Sequence, residues 1–385
     1  MLLALLLAAQ AAVPGQATEL RGLWVVRTGL VSPAAVDQVV DQAAAGGLNA
    51  LFVQARGRGD AFYRSRLVPR SELLRNQPVE FDPLARLIER ARARGVAVHA
   101  WVNVLLSAHF TSLPPESVVA LHPDWLMLSR SGARTTPPSD PKGLLRRIRQ
   151  SALADGDVEG YYLSPAAPGV AEYLESVVRE LVREYPVDGL HLDFIRYPGP
   201  EYDYSSAALD EFEREQGGGD RLGLPAQRPE AWSDYRRERL TRLTSLLVRT
   251  ARAERPQLAI SAAVVPDRAT AVSQKFQDWP GWLASGLLDA ICPMAYTSDS
   301  RLFRQQVRDA QDQVRPGQAV WAGVGAYRLD VAGIVAKIRE ARAQGASGVV
   351  LFSHESLGLA QFRQLREEAF AGAAPLSVPA GASGR

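Results

Sequence analysis

Asp193 closes the run Asp188-Gly189-Leu190-His191-Leu192-Asp193, whose length and alternation are those of a β-strand. Successive strand side chains point to opposite faces, so Gly189, His191 and Asp193 share one side and Leu190, Leu192 and Phe194 the other. A carboxylate at the end of such a strand can act as nucleophile, general base or stabiliser of an oxocarbenium ion. His191 lies two residues earlier on the same face and is placed to tune it. Asp188 begins the strand and is read as structural.

Chemistry of this kind uses a second carboxyl group. Glu355, in Phe352-Ser353-His354-Glu355, lies closest to a strand end and is the expected partner. Asp60, in Gln54-Ala55-Arg56-Gly57-Arg58-Gly59-Asp60, and Asp267 and Asp299 are the other candidates. For each, a surface or helix-capping role is the alternative. A neighbouring strand repeats the alternation: Val96, Val98, Ala100 and Val102 form one face, and His99, Trp101 and Asn103 the other. Gln54 and Arg56 end a further strand in the same way. A satisfied buried polar network is the competing reading of these inward groups. Aromatic residues cluster at the same strand ends and in the loops beyond them: Trp101, Trp125, Tyr197, Tyr202, Tyr204, Tyr296, Trp321 and Tyr327. Flat rings with polar edges suit pyranose faces, and they also suit loop packing. Arg56, Arg58 and Arg196 could hold a substrate carboxylate or serve as salt-bridge partners. The expected catalytic set is therefore Asp193, Glu355 and His191. The expected substrate-binding set is Arg56, Asp60, His99, Trp101, Asn103, Arg196, Tyr197, Tyr296 and Trp321.

Eight strands would position these groups. They are read at Leu20–Arg27, Asn49–Ala55, Val96–Asn103, Val187–Phe194, Gln257–Val264, Leu288–Ala295, Ala319–Val324 and Gly348–Ser353. Helical patterns fall between them at Pro33–Ala45, Asp82–Arg94, Gly169–Glu184, Trp232–Glu254, Ser300–Val314, Val331–Gln344 and Leu357–Phe370. Strand–helix alternation implies parallel strands with crossover helices, and eight units close a barrel. An open doubly wound sheet is the alternative, and no Gly-rich phosphate loop follows the first strand to support it. Helix-to-strand links are tight and carry Gly or Pro. Strand-to-helix links are long at Arg56–Phe81, Val104–Pro168 and Ile195–Pro229, and one-sided long loops mark the face that carries the site. The expected fold is a single α/β (β/α)8 TIM barrel over 18–372, with an insertion over about 104–168 that forms a cleft wall or a docking surface.

Composition narrows the functional classes. With 44 basic against 42 acidic residues and no Lys/Arg stripe, nucleic acid is not an expected partner. Met1–Ala12 is too short to cross a bilayer and reads as the apolar part of a secretory signal over 1–17, with Gly15-Gln16-Ala17 as cleavage site; a buried helix is the alternative. Export to the periplasm or cell surface is the resulting expectation. No later stretch is long and apolar enough for a membrane span. Cys292 is the only cysteine, so the large core must hold the fold without an internal disulfide. Residues 373–385, rich in Ala, Pro, Gly and Ser, read as a loose tail.

Taken in order, several segments resemble the glycosyl-hydrolase-like family 10 of bacterial cell-envelope proteins. They are Glu19-Leu20-Arg21-Gly22-Leu23-Trp24, Gly47-Leu48-Asn49-Ala50-Leu51-Phe52-Val53-Gln54, Gly59-Asp60-Ala61-Phe62-Tyr63 and Asp82-Pro83-Leu84. Next comes Arg94-Gly95-Val96-Ala97-Val98-His99-Ala100-Trp101-Val102-Asn103. The most specific is Val187-Asp188-Gly189-Leu190-His191-Leu192-Asp193-Phe194-Ile195-Arg196-Tyr197-Pro198, followed by Cys292-Pro293-Met294-Ala295-Tyr296 and Leu351-Phe352-Ser353. The resemblance implies a barrel hydrolase of glycans, with members implicated in cleaving peptidoglycan strands stripped of peptide. It also implies that Asp193 is a functional carboxylate and that His99, Trp101, Asn103, His191 and Arg196 line the cleft. The fourth strand is similar to the chitinase strand as well, but its acid position falls on Ile195 and its middle Asp on His191. Two other readings stand beside hydrolysis. One is a glycan-binding barrel without catalysis. The other is a metal-dependent hydrolase using His99, His191, Asp193 and His354, against which no His-x-His pair or other strong ligand spacing is present. No cofactor is expected.

Overall fold

A computed structural model of the chain describes residues 19–134, 140–154, 156 and 158–372. The signal segment 1–17 and the tail 373–385 read from the sequence lie outside the described residues. Eight parallel strands close on themselves: β1 (Leu20–Val25), β2 (Ala50–Arg56), β3 (Ala97–Asn103), β4 (Gly189–Asp193), β5 (Ala259–Val264), β6 (Ala290–Pro293), β7 (Ala319–Gly325) and β8 (Gly348–Phe352). Each pairs with its sequence neighbours, and β1 pairs with β8 through Leu20 opposite Gly348, so the sheet has no edge. The expected (β/α)8 barrel is the fold found.

The strand pattern explains why it closes. Outward residues such as Leu23, Val25, Val98, Leu190, Ile260 and Leu351 are aliphatic and buried in one continuous core beneath the helices. Inward residues form a separate core of Trp24, Ala50, Phe52, Trp101, Cys292, Trp321 and Val350. A few large rings surrounded by Ala and Gly fill the tapering interior, which is a packed core and not a pore. The helices begin where the sequence provides caps. Ser32 accepts from the Ala35 N–H at 3.1 Å ahead of helix Pro33–Ala45, and Asp82 does the same for Pro83–Arg92 through the Ala85 N–H at 2.9 Å. Asp267 and Asp299, two candidate catalytic carboxylates, are likewise N-caps. Helices Pro141–Ala154, Ser206–Glu215, Arg268–Gln274 and Trp279–Ala284 were not distinguished by periodicity, because they are short or lie within the long loops.

Two local departures from strict alternation re-aim important side chains. The β2–β3 register shifts between Gln54 and Arg56, which takes Arg56 out of the inward file that simple alternation assigns to it. Phe194 follows Asp193 at φ +49°, a left-handed conformation uncommon for a bulky residue. It therefore leaves the aliphatic face and lines the mouth instead.

The insertion after β3 is anchored beside that mouth. Leu106–Ala108 pairs antiparallel with Tyr161–Tyr162, and the Met127 N–H donates to the Tyr162 carbonyl at 2.8 Å. Buried Asp203, in the loop after β4, accepts from the Leu128 N–H at 3.3 Å and from the Ser205 N–H at 2.8 Å. The Tyr204 N–H donates to the Leu128 carbonyl at 2.7 Å. Of the two roles left open for the insertion, the fold supports a cleft wall, because Leu106 and Glu159 face the cleft.

Candidate active site

The inward polar groups sort by depth. Lowest is His99, stacked on Phe52 with centroids 4.7 Å apart and packed so closely on Gly189 that a Cβ there would sit 2.1 Å from its Nδ1. His191 stands in the middle layer. Its Nε2 accepts from the Trp24 indole N–H at 3.2 Å, which assigns the proton to Nδ1, donating to Ser261 Oγ at 2.9 Å. Burial pushes the His99 pKa down to about 4, and burial with His99 beside it pushes His191 well down, so both rings are neutral at pH 7. Trp321 packs edge-on against Phe52 and His99 in the same interior. His99, His191 and Trp321 form the floor beneath the cleft and do not line it.

Above them opens a cavity of about 390 Å³ at the C-terminal end of the strands. Asp193 is only 6 % exposed. Burial raises its pKa against the lowering effects of Arg196 and of the Phe194 N–H, which donates to Oδ1 at 2.6 Å. Trp101 Nε1 approaches closely enough to lower the pKa but falls outside hydrogen-bond geometry. Arg196 stacks over the Phe194 ring at 4.2 Å, with one guanidinium nitrogen 3.7 Å from Asp193 Oδ1 and the other 3.2 Å from Glu159 Oε1. Glu159 Oε2 accepts from Tyr162 Oη at 2.6 Å. Because one planar fork reaches both carboxylates, their nearest oxygens are no more than roughly 9 Å apart, which does not exceed the upper end of the spacing that acid–base carboxyl pairs use.

Three buried polar groups around this centre have no hydrogen-bond partner among the described residues: Trp101 Nε1, Asn103 Oδ1 and one terminal nitrogen of Arg196. Buried polar groups are ordinarily paired, so two donors and an acceptor left open here suit a polar ligand. Aromatic surface is supplied by Trp24, Tyr296 and Phe352, the last two stacked at 5.3 Å. Among the described residues, no three His, Cys, Asp or Glu side chains converge as metal ligands.

The structure therefore brings Asp193, Glu355, Trp101, Asn103, Arg196 and Tyr296 to one cleft. Glu355 stands on its rim, exposed, accepting from Thr28 Oγ1. Asp60 lines an adjoining groove, with Oδ1 taken by the Arg58 N–H at 2.8 Å. Tyr197 is buried against Phe276 at 5.3 Å and lies outside the cleft. Arg56 is wholly buried, donating to the Asn103 and Val104 carbonyls and to Ser107 Oγ at 3.0 Å, so it braces the end of β3 and has no access to the cleft. Sequence reasoning passed over Glu159, Phe194, Trp24 and Arg27. Glu159 had a faint signal, an acid next to the short β-prone pair Tyr161-Tyr162. The Phe194 turn had none.

Comparison with known proteins bears on the family and the fold. Residues 19–334 match the family described as Glycosyl hydrolase-like 10. The chain is similar to glycosyl hydrolase DigH of Escherichia coli O6:H1, 26% identical over 316 residues that cover 74% of this chain and 63% of that protein. It is also similar to glycosyl hydrolase YngK of Bacillus subtilis, 24% identical over 66% of this chain and 46% of that one. The chain thus spans less than two thirds of the length of these relatives. Among solved structures, the PgaB (BpsB) glycoside hydrolase domain from Bordetella bronchiseptica has the same fold, with a TM-score of 0.67 at 17% identity, covering 94% of this chain and 99% of that domain. Among the described residues, no helix is long and apolar enough to cross a membrane.

Proposed function

This chain belongs to the glycosyl hydrolase-like 10 family, and on that premise we propose that it hydrolyses glycosidic bonds in a bacterial envelope polysaccharide, peptidoglycan glycan strands being the favoured substrate. The observation that carries the reading is Asp193: a buried carboxyl at the barrel mouth, facing an aromatic cleft and joined through Arg196 to a second carboxylate, Glu159. Burial favours its protonated form, which makes proton donation a better-supported role than nucleophile or base. Asp193 gives its proton to the glycosidic oxygen as the bond from the anomeric carbon breaks, and Arg196 stabilises the carboxylate left behind. Glu159, oriented by Tyr162 and Arg196, takes a proton from the water that bonds to the anomeric carbon. That route inverts the anomeric centre. Trp101 and Asn103 meet sugar hydroxyl or acetamido groups with their open donor and acceptor. Supported by the apolar run Met1–Ala12, the same proposal places the protein outside the cytoplasm.

The test is digestion of peptidoglycan strands, bare and peptide-bearing, by wild type and Asp193→Asn, with products read by mass spectrometry. Fragments from wild type alone support hydrolysis, and NMR of the first product reads the anomeric configuration. With Asp193 as donor, kcat/KM falls as pH rises through its raised pKa; a profile with no such fall on the alkaline side would return it to nucleophile or base. Strands bound without new reducing ends would favour the glycan-binding alternative.

A further inference from the structure

The rim of the cleft carries two arginines that the catalytic reading does not use. Arg27 follows β1 and Arg58 follows β2, and both line the cleft as well as a second cavity of about 220 Å³ beside it. The two hollows therefore form one groove with Arg27 and Arg58 at the junction. Neither guanidinium has a hydrogen bond or an ion pair among the described residues, although most arginines near the barrel mouth are tied down. The backbone that carries them is held in place. The Arg27 N–H donates to Gln54 Oε1 at 3.2 Å, and its guanidinium passes over Gly57, 3.6 Å from where a Cβ would stand. Arg58 sits on a turn closed by Asp60 through its own N–H. The next residue, Gly59, has φ +72° and lies so close to the Ser107 carbonyl that a Cβ would come within 2.2 Å of its oxygen, so only glycine fits there.

Carboxylates line the groove as well: Asp60, Glu72, Glu159, Asp193 and Glu355. Arg58 is partly buried, and its protonated form is disfavoured by that burial and by Arg27. Asp60 and Glu159 are the acids that offset it, and each is already committed, one to a backbone N–H and the other to Arg196 and Tyr162. His109, on the wall of the second cavity, has its pKa lowered by burial and then by Arg58, Arg27 and Arg149, so the two arginines act on the group beside them. Two adjacent guanidinium groups that face one groove, with no hydrogen bond or ion pair among the described residues, are arranged to receive a planar anion.

We propose that Arg27 and Arg58 form an anion subsite that binds a carboxylate carried by the glycan beside the residue held at Asp193. The proposal rests on the reading of the cleft as a glycan site. It adds that the substrate is an acidic glycan and that the arginines select for free carboxyl groups, so that capping or neutralising those groups weakens binding.

The test uses the full chain carrying Asp193→Asn, so that binding is measured without cleavage. The probes are peptide-free peptidoglycan strands with free carboxyl groups and the same strands with those carboxyls converted to amides. Binding to the acidic strands is expected to be at least about tenfold tighter, by charge-assisted hydrogen bonds to both guanidiniums. The preference should shrink as salt is raised. It should vanish when Arg27→Gln and Arg58→Gln are added, with the melting temperature unchanged. Equal affinity for the two strands, binding to neither, or a preference that survives the double substitution overturns the subsite. Cleavage by the wild-type chain is scored separately. Fragments from both strand types with no binding preference would sink the subsite and leave hydrolysis standing. A binding preference without any fragments would do the reverse.

Discussion

The floor of the barrel and its mouth are built from the same strands, one strand residue pair apart, and they treat polar groups in opposite ways. On β4, His191 is neutral, enclosed by Trp24 and Phe52, with both ring nitrogens matched. Two residues later, Asp193 sits among a cationic neighbour, a strained backbone and polar atoms left unmatched. Along β3 the contrast is one of access alone: His99 is packed among rings with neither ring nitrogen hydrogen-bonded among the described residues, and Asn103 opens onto the cleft. Pointing inward in a barrel is therefore insufficient to make a residue part of a site. Depth decides it, because only the last residues of each strand meet the loops and the solvent.

The sharpest way to test that division is at its upper edge. Asp193→Asn should lower kcat by about 10² to 10⁴-fold, the range for a lost general acid. It should also leave stability unchanged or raised at neutral pH. A carboxyl whose pKa is raised on folding binds more protons in the native state, so its ionised form costs stability above that pKa, and the amide removes the cost. Thermal melts beside reducing-end assays would show both. An inactive variant that also melts earlier would break the comparison by making Asp193 a structural group.

At the floor the effects should reverse. His191→Ala should cost roughly 3 kcal/mol in denaturant unfolding, from the cavity and the orphaned Trp24 N–H. Whatever activity remains should keep the wild-type pH profile, and a shifted profile would move His191 into the chemistry. The buried neutral His99 makes a related prediction. Its native pKa of about 4 is below the ordinary 6.5, so the unfolded chain binds more protons between those values and stability falls as pH drops through them. The loss attributable to His99 is up to roughly 3 kcal/mol. Unfolding curves from pH 7 to pH 4 measure it, and His99→Gln should flatten the dependence. An unchanged slope in that variant would assign the acid sensitivity elsewhere.

The smallest expected effects compare two places on the mouth itself. Glu159→Gln should lower kcat by about a hundredfold, the low end of acid–base contributions. Glu355→Gln, altering an exposed rim carboxylate bonded to Thr28, should change it by less than about tenfold. The opposite ranking would return the second catalytic role to Glu355, the candidate that strand position alone had favoured.

Much of this was legible in the chain. The eight strand runs, the tight Gly- and Pro-bearing links on one side and the long loops on the other determined a barrel, because period-two alternation and crossover spacing are local properties. They determined equally that Asp193 stands at a strand end on the face that carries sites. What the chain could not settle by itself was depth and partnership. Alternation treats His99, His191 and Asp193 alike, and only closure of the barrel shows that Phe52 and Trp24 seal the first two away. Alternation also sent Arg56 inward and Phe194 outward, and a register shift and a left-handed turn reversed both. Glu159 is 34 residues before Asp193 in the chain, inside an insertion with little periodicity of its own. It reaches the site only because a two-residue ribbon and the Asp203 ties fold that insertion against the β4 loop. Local sequence encodes which way a side chain points. Which charges end up within a few ångströms of each other depends on long-range packing, and that is decided only when the tertiary structure forms.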